Sequence, residues 1–150
     1  MMKLLKLVAI FSVLISFINA KEKKYYEIES ELKRSILDSY NKSIRPDKTV
    51  HVIIAISLFK IIHLDEVNEI MQSSAYLYAI WIDVRLKWEP SEHNNISEMF
   101  MPITELWKPD LYVINSADSV GSVKFSGMIV KVKSDGTVSA TVELPGRLEI

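Results

Sequence analysis

The stretch that decides the fold reads Ile80-Trp-Ile-Asp-Val-Arg-Leu-Lys-Trp-Glu-Pro90 and continues, after a polar run, as Met101-Pro-Ile-Thr-Glu-Leu-Trp-Lys-Pro-Asp-Leu-Tyr-Val-Ile-Asn-Ser-Ala-Asp118. It holds all three tryptophans, at positions 81, 88 and 107, and three of the five prolines, at 90, 102 and 109. Tryptophan buries a large area and carries one N–H to satisfy, whereas proline fixes the backbone and is excluded from central strands. The spacing predicts a rigid corner between strands, packed on aromatic anchors.

Two long strands are predicted to lead into this corner. Residues 49–64 are rich in β-branched side chains, which favour a pleated surface. Residues 69–88 place Tyr76 and Tyr78 on one face and Leu77 and Trp81 on the other. A short polar turn at 65–68 separates the two strands, so we expect an antiparallel hairpin.

The rest of the chain predicts one helix and several shorter strands. Residues 25–41 repeat apolar side chains every fourth position, which is typical of a helix with a narrow apolar stripe. We expect a polar loop at 89–98, short strands at 103–106 and 111–115, and longer strands at 124–133 and 137–144. The last two flank Asp135-Gly136, a two-residue hairpin signal. The fold class is therefore mainly β, with an N-terminal helix and an antiparallel sandwich or barrel.

Composition restricts the class of function. The chain has 150 residues, a net charge of −1 and no cysteine. It is long enough for one domain, it lacks the basic surface of a nucleic-acid binder, and it has neither disulfides nor zinc-thiolate sites.

Residues 1–20 resemble a secretory signal peptide. Lys3 and Lys6 precede a nearly unbroken apolar run at 7–18, and a charged run starts at Lys21. An uncleaved N-terminal anchor is the alternative. Cleavage would leave residues 21–150 as one domain on the secretory pathway.

Catalytic and metal-binding patterns are weak. His51 and His63 are about 40 Å apart on an extended strand, which is too far for one ion. His93 lies in a polar loop of the kind that is usually solvated. No nucleophile elbow, phosphate loop or zinc-protease helix occurs, so we expect neither an enzyme nor a cofactor. We interpret Asp83 and Arg85 as a structural ion pair rather than a charged site.

Two N-glycosylation sequons begin at Asn41 and Asn95, each in a predicted turn or loop. Chance tripeptides are the alternative. The aromatic residues Tyr76, Tyr78, Tyr112 and Trp107 have two interpretations, packing or a box for a cationic ligand.

The opening stretch also carries a family likeness. Its motifs are Trp81-x-Asp83-x-x-Leu86-x-Trp88-x-Pro90, Leu106-Trp107-x-Pro109-Asp110 and Asn115-x-Ala117-Asp118. Together they resemble the extracellular domain of the pentameric Cys-loop ligand-gated ion channels, nearest to the nicotinic acetylcholine receptor branch. The resemblance implies an N-terminal helix on an antiparallel β-sandwich, a pentamer of homologous subunits, and a small-molecule transmitter, acetylcholine-like in type, bound between neighbours.

The resemblance also implies site residues. Tyr76 stands where the complementary side of the family's site often carries an aromatic residue, and Lys131, Ser139 and Thr141 fall on the strands that supply the rest of that side. On the principal side, the first ligand loop corresponds to residues 107–119, which include Trp107 and Tyr112. Ile114 stands where that loop usually carries its ligand-contacting tyrosine, and Tyr112 keeps the same strand parity.

The likeness runs from about residue 27 to 138. Ala140 stands where the family usually has tryptophan, and the family's paired cysteines and membrane helices have no counterpart in these 150 residues. We therefore expect the first, incomplete part of a ligand-binding domain, with unpaired edges and an exposed apolar face. The principal hypothesis is the extracellular or plasma-membrane-associated ligand-binding segment of a receptor subunit. The alternatives are a secreted ligand-binding or decoy module and an unrelated secreted β-sandwich enzyme.

Overall fold

A computed structural model describes residues 24–117, 123–125, 127–144 and 146–149. The predicted signal peptide lies outside these residues. The elements in chain order are helix α1 (Tyr25–Asp38) and strands β1 (Val52–Asp65), β2 (Ile70–Ile82), β3 (Glu98–Pro102), β4 (Ile129–Lys133), β5 (Thr137–Glu143) and β6 (Arg147–Glu149). Three single-turn 3-10 helices lie at Val84–Leu86, Pro90–Glu92 and Ile103–Glu105.

The strands form one antiparallel sheet in the order β1-β2-β5-β4-β3, and β6 pairs with the start of β2. The long β2 is the centre of this sheet, because it pairs with β1 along its whole length and with β5 over its second half. The predicted mainly β class with an N-terminal helix is therefore confirmed, as is the hairpin of two long strands.

The core lies on one face of the sheet, because side chains alternate between the two faces of each strand. In β2, Leu77, Ala79 and Trp81 are buried while the intervening residues are exposed. In β5, the inward residues are those that alternation predicts: Val138, Ala140 and Val142. Helix α1 contributes Leu32 to this core, and its other apolar residues pack only partly against it, in line with the narrow stripe.

Strand β1 leaves much apolar surface exposed. Seven of its large aliphatic side chains are exposed, and its pairing with β2 shifts register twice. The inward side of β1 and β2 and residues 111–115 line an apolar cavity of about 520 Å³. The expected exposed apolar face is thus present among the described residues.

The second strand ends earlier than predicted. We expected it to reach residue 88, but β2 ends at Ile82. Asp83 accepts the backbone N–H of Arg85 and starts a 3-10 turn, which rotates Leu86 into the core. Periodicity misassigned this stretch because a side-chain cap competes locally with strand geometry.

The corner beyond it also differs from the prediction. A strand lies at Glu98–Pro102, directly after the predicted loop and where no strand was predicted, and Ile103–Glu105 forms a 3-10 turn instead of a strand. Among the described residues, 111–115 form no named strand, and β4 covers only the second half of the stretch predicted at 124–133. Pairing partners decided these positions, and local propensity does not specify them.

The β4–β5 hairpin forms as expected but with a longer loop. Lys131 pairs with Ser139 and Val132 with Val138, which leaves residues 134–136 in the turn. Gly136 takes a positive φ of 84°, and its N–H donates to the carbonyl of Lys133 at 2.8 Å. A three-residue loop that places glycine in the left-handed region is a common hairpin connection.

Candidate functional site

Four of the six predicted ligand-binding residues share the solvent face of the sheet. Opposite residues in an antiparallel pair point to the same side, so the register defines this face. Tyr78 lies opposite Thr141, Ile80 lies opposite Ser139, and Ser139 in turn lies opposite Lys131. Tyr76 precedes Tyr78 by two residues in β2 and therefore lies on the same side of the strand. We call the surface formed by Tyr76, Tyr78, Lys131, Ser139 and Thr141 the outer face.

The spacing on the outer face suits a small ligand. Directly opposite residues have Cβ atoms about 5 Å apart, so Tyr78 and Thr141 are neighbours. Tyr76 and Ile80 are four residues apart along β2, or about 13 Å, so Tyr76 lies at one end and Ser139 near the other. Both tyrosines are 40% exposed.

Carboxylates border the outer face at both ends. Glu143 lies directly opposite Tyr76 in the β2–β5 register. At the other end, Lys131 Nζ lies 3.5 Å from Glu98 Oε2. Because this ion pair is well exposed, it contributes little to stability, at most about 1 kcal/mol. The face therefore combines aromatic rings, hydroxyls and acidic groups, and its lysine is already paired.

Trp107 lies on the opposite side of the sheet from these residues. Its ring meets that of the buried Trp81 edge to face, with centroids 6.3 Å apart. Its backbone N–H donates to the hydroxyl of Tyr40 at 2.9 Å. Trp107 thus anchors its segment to the core.

Tyr112 is also separated from the outer face. It is well exposed and lies at the apolar cavity, beside the fully exposed Ile114. Within one chain, the structure brings together Tyr76, Lys131, Ser139 and Thr141, and it leaves Trp107 and Tyr112 elsewhere.

A hydrogen-bonded cluster next to Trp107 connects α1 to the end of β2. Asp83 is completely buried and forms the predicted ion pair with Arg85 at 2.7 Å. Its carboxylate also accepts the hydroxyl of Tyr40 at 2.7 Å. Burial raises the pKa of the Tyr40 hydroxyl well above its usual range, and hydrogen bonding to Asp83 raises the pKa of Arg85.

The predicted ligand-binding set did not include Tyr40, Tyr78 or Glu143, although Tyr78 was one of the four aromatic residues considered for a cation-binding box. Alternation along β2 already placed Tyr78 on the side of Tyr76, and this signal was sufficient to include it. Glu143 required the β2–β5 register, and Tyr40 required the packing of α1, neither of which is encoded by local sequence.

Both sequon asparagines are exposed in turns. Asn41 follows α1, and its Oδ1 accepts the N–H of Ser43 at 2.9 Å. Asn95 adopts a positive φ in the loop before β3. Within the part of the chain that the structure describes, no three histidine or acidic side chains form a metal-binding group. Among the helices of the same ranges, none combines the length and hydrophobicity that a bilayer crossing requires.

Comparison with known proteins gives consistent matches. The neurotransmitter-gated ion-channel ligand binding domain family matches residues 29–147. The neuronal acetylcholine receptor subunit alpha-3 of Rattus norvegicus is 38% identical over 96 residues, which cover 61% of this chain and 19% of that protein. The subunit alpha-6 of Mus musculus is 35% identical over 122 residues, which cover 77% and 24%.

The acetylcholine receptor subunit alpha of Danio rerio is also 38% identical over 96 residues. The chain spans about a fifth to a quarter of the length of these relatives. The matched proteins are ion-channel receptors and not enzymes, which agrees with the prediction from the sequence. Because the family match covers 29–147 of 150 residues, the chain belongs to the ligand-binding domain family of neurotransmitter-gated ion channels.

Proposed function

We propose that the chain is the extracellular ligand-binding segment of a nicotinic-like ligand-gated ion channel subunit. The outer face forms the complementary side of a transmitter site that is shared with a neighbouring subunit. Family membership and the acetylcholine receptor relatives support the transmitter class. The grouping of two tyrosines with hydroxyl side chains on one open sheet surface is the observation that carries the proposal.

The chemistry of the outer face fits a quaternary ammonium ligand. The electron-rich faces of Tyr76 and Tyr78 attract a cation, and this attraction is worth about 0.5–1 kcal/mol when exposed and about 2 kcal/mol when water is excluded. Glu143 lies opposite Tyr76 and adds a negative charge near the same ring. Thr141 and Ser139 offer hydroxyls to the polar end of an ester such as acetylcholine.

A second subunit is needed to complete this site. The outer face is one exposed side of a sheet, and ligand pockets generally bury most of their ligand's surface. Trp107 and Tyr112 of the same chain lie away from it, so they do not close it. In a ring of homologous subunits, each chain would present its outer face to one neighbour and its 107–112 segment to the other. A pentamer of homologous subunits is the assembly that we propose.

The route to the cell exterior is part of the proposal. Residues 1–20 act as a signal peptide, and Asn41 and Asn95 carry N-linked glycans in their exposed turns. Expression in secretory cells should give two glycoforms above the bare chain, and glycosidase treatment should collapse them. Asn41→Gln and Asn95→Gln should each remove one step in mobility. If neither Asn41→Gln nor Asn95→Gln changes the electrophoretic mobility of the chain, the proposed glycosylation on the secretory pathway is wrong.

Acetylcholine binding tests the site directly. The chain is co-expressed with a full-length alpha-3 subunit, and acetylcholine affinity is measured on the purified complex. Tyr78→Ala and Tyr76→Ala should each weaken binding about 5- to 30-fold, because each removes about 1–2 kcal/mol of cation attraction. Tyr25→Ala is the matched control, since Tyr25 is exposed on α1 and far from the outer face in sequence.

The same complex separates the two receptor hypotheses. Agonist-gated current that depends on Tyr78 supports a channel subunit. Acetylcholine binding by chain recovered from the medium, without any such current, would support the secreted ligand-binding or decoy module instead. If acetylcholine affinity is unchanged in both Tyr76→Ala and Tyr78→Ala, the outer face is not part of the binding site.

A further inference from the structure

The hydroxyl of Tyr40 connects three parts of the chain that are distant in sequence. It donates to Asp83 Oδ2 at 2.7 Å, it accepts Arg85 Nη2 at 3.2 Å, and it accepts the backbone N–H of Trp107 at 2.9 Å. A phenolic hydroxyl has one donor and two acceptor positions. Every one of these positions is therefore used.

The direction of these hydrogen bonds is fixed by chemistry. The ionised Asp83 carboxylate only accepts hydrogen bonds, so Tyr40 must donate to it. Arg85 holds that carboxylate from the other side, through its backbone N–H at 3.1 Å and its Nε at 2.9 Å. Because the hydroxyl proton of Tyr40 is donated to Asp83, the lone pairs of the Tyr40 oxygen accept hydrogen bonds from Arg85 and from the Trp107 N–H.

Trp107 is held at two points. Its ring packs edge to face on Trp81, which is a contact between two large surfaces. Among the described residues, the acceptor of its backbone N–H is the hydroxyl oxygen of Tyr40. Lys108 follows directly and lies 5.5 Å above the ring of Phe125. The backbone position at Trp107 therefore sets where the chain leaves the core toward Tyr112.

We propose that Tyr40 is a positioning residue whose hydroxyl fixes the backbone at Trp107 and, through it, the course of residues 107–112. Its contribution to ligand binding rests on the proposed function, in which this segment faces a neighbouring subunit. Its effect on the Trp107 backbone is independent of any ligand.

A purely structural role for Tyr40 predicts something different from a positioning role. Tyr40→Phe keeps the ring that lies 4.5 Å from the Arg85 guanidinium, and Asp83 keeps its hydrogen bonds from Arg85. The Trp107 N–H, in contrast, loses its acceptor. A positioning role therefore predicts a local change at residue 107, whereas a general stabilising role predicts faster opening of the whole sheet.

Residue-resolved amide hydrogen exchange of the full chain distinguishes these outcomes. In Tyr40→Phe, the exchange rate of the Trp107 amide should rise at least about tenfold more than the rates of the Ala79 and Val138 amides in the central strands. Tyr26→Phe is the matched control, because its hydroxyl donates only to Glu27 of its own helix turn at 3.3 Å. This control should leave the Trp107 rate unchanged.

Three results would overturn the proposal. The Trp107 amide keeps its rate in Tyr40→Phe; the Trp107 amide and the central-strand amides accelerate by the same factor; or the variant fails to fold, which would make the hydroxyl a requirement of the whole fold. Each of these three results is measured in the absence of any ligand.

An acetylcholine titration of the same variants, co-assembled with the alpha-3 subunit, tests the ligand-site part. Affinity several-fold weaker in Tyr40→Phe than in Tyr26→Phe supports it, and equal affinity with a faster Trp107 amide overturns it. If the unmodified chain binds no acetylcholine, the proposed function fails, and the exchange result alone decides the role of Tyr40.

Discussion

The backbone N–H of Asp83 donates to the carbonyl oxygen of Gly136 at 2.9 Å. This hydrogen bond joins the end of β2 to the β4–β5 turn, which lies 53 positions later in the sequence (136 minus 83). Gly136 has a φ of +84°, and a Cβ added there would lie 2.5 Å from the Asp83 carbonyl oxygen. Glycine is therefore required at this turn for two reasons, its backbone conformation and the close approach of a second chain segment.

Gly136→Ala should destabilise the fold more than the same change at another positive-φ glycine. We expect a loss of about 2–4 kcal/mol, from left-handed strain and from displacement of the Asp83 backbone. Gly127 provides the matched control, because its φ is +74° and a Cβ there would meet nothing within 4 Å. Gly127→Ala should cost only the strain, about 1 kcal/mol. Urea unfolding of both variants measures the difference, and equal losses would contradict the close-approach argument.

Removing the buried carboxylate should be severe. Asp83→Ala leaves the Tyr40 hydroxyl and the Arg85 guanidinium without their shared acceptor, and Arg85 is only 26% exposed. We expect a loss of about 3 kcal/mol, at the lower end for a broken buried pair because Arg85 still reaches water. The free energy of unfolding from urea titration is the measurement.

An exposed ion pair serves as the control for Asp83. Lys33 Nζ and Glu105 Oε2 are 3.1 Å apart, and their side chains are 31% and 42% exposed. Glu105→Ala should change stability by about 1 kcal/mol or less. If the two variants lose similar amounts, the cluster around Asp83 has no special importance for the fold.

Tyr40 should make the stability of the fold sensitive to alkaline pH. Burial raises its pKa in the folded chain, so above about pH 10 the unfolded chain loses this proton first. The unfolded state then binds fewer protons than the folded state, and stability falls as pH rises. The stabilisation is complete below the ordinary tyrosine pKa.

Tyr40→Phe isolates this effect from the other ionisable groups. Urea midpoints between pH 8 and 11 should decline less steeply in Tyr40→Phe than in the unmodified chain. Parallel declines would show that Tyr40 ionises equally in both states. The slopes are compared between the two proteins, so the titration of lysines and of the other tyrosines cancels.

Alternation in the sequence was enough to predict the centre of the sheet. The buried positions of β2 and β5 follow a period of two, and the hairpin of two long strands is as expected. The errors lie where a side chain or a distant strand decides the backbone. Asp83 ends β2 by capping a turn, and the residues that pair as β3 with β4 have no strong local pattern.

The candidate site was predicted only in part for the same reason. The family resemblance implied the grouping of Tyr76, Ser139 and Thr141, and strand parity independently placed Ser139 and Thr141 outward. The separation of Trp107 from them depends on its packing against Trp81, and the cluster at Tyr40 depends on where α1 docks. These are contacts between residues far apart in sequence, and neither periodicity nor spacing specifies them.

The central claim is that the outer face binds the transmitter. Its most direct test is a map of amide chemical shifts of the labelled chain, co-assembled with the alpha-3 subunit, as acetylcholine is added. We predict that the largest shifts lie at Tyr78, Thr141 and Ser139, with smaller ones at Lys131. Shifts confined to residues that line the apolar cavity, such as Leu77 and Leu144, or the absence of any saturable shift, would contradict the account.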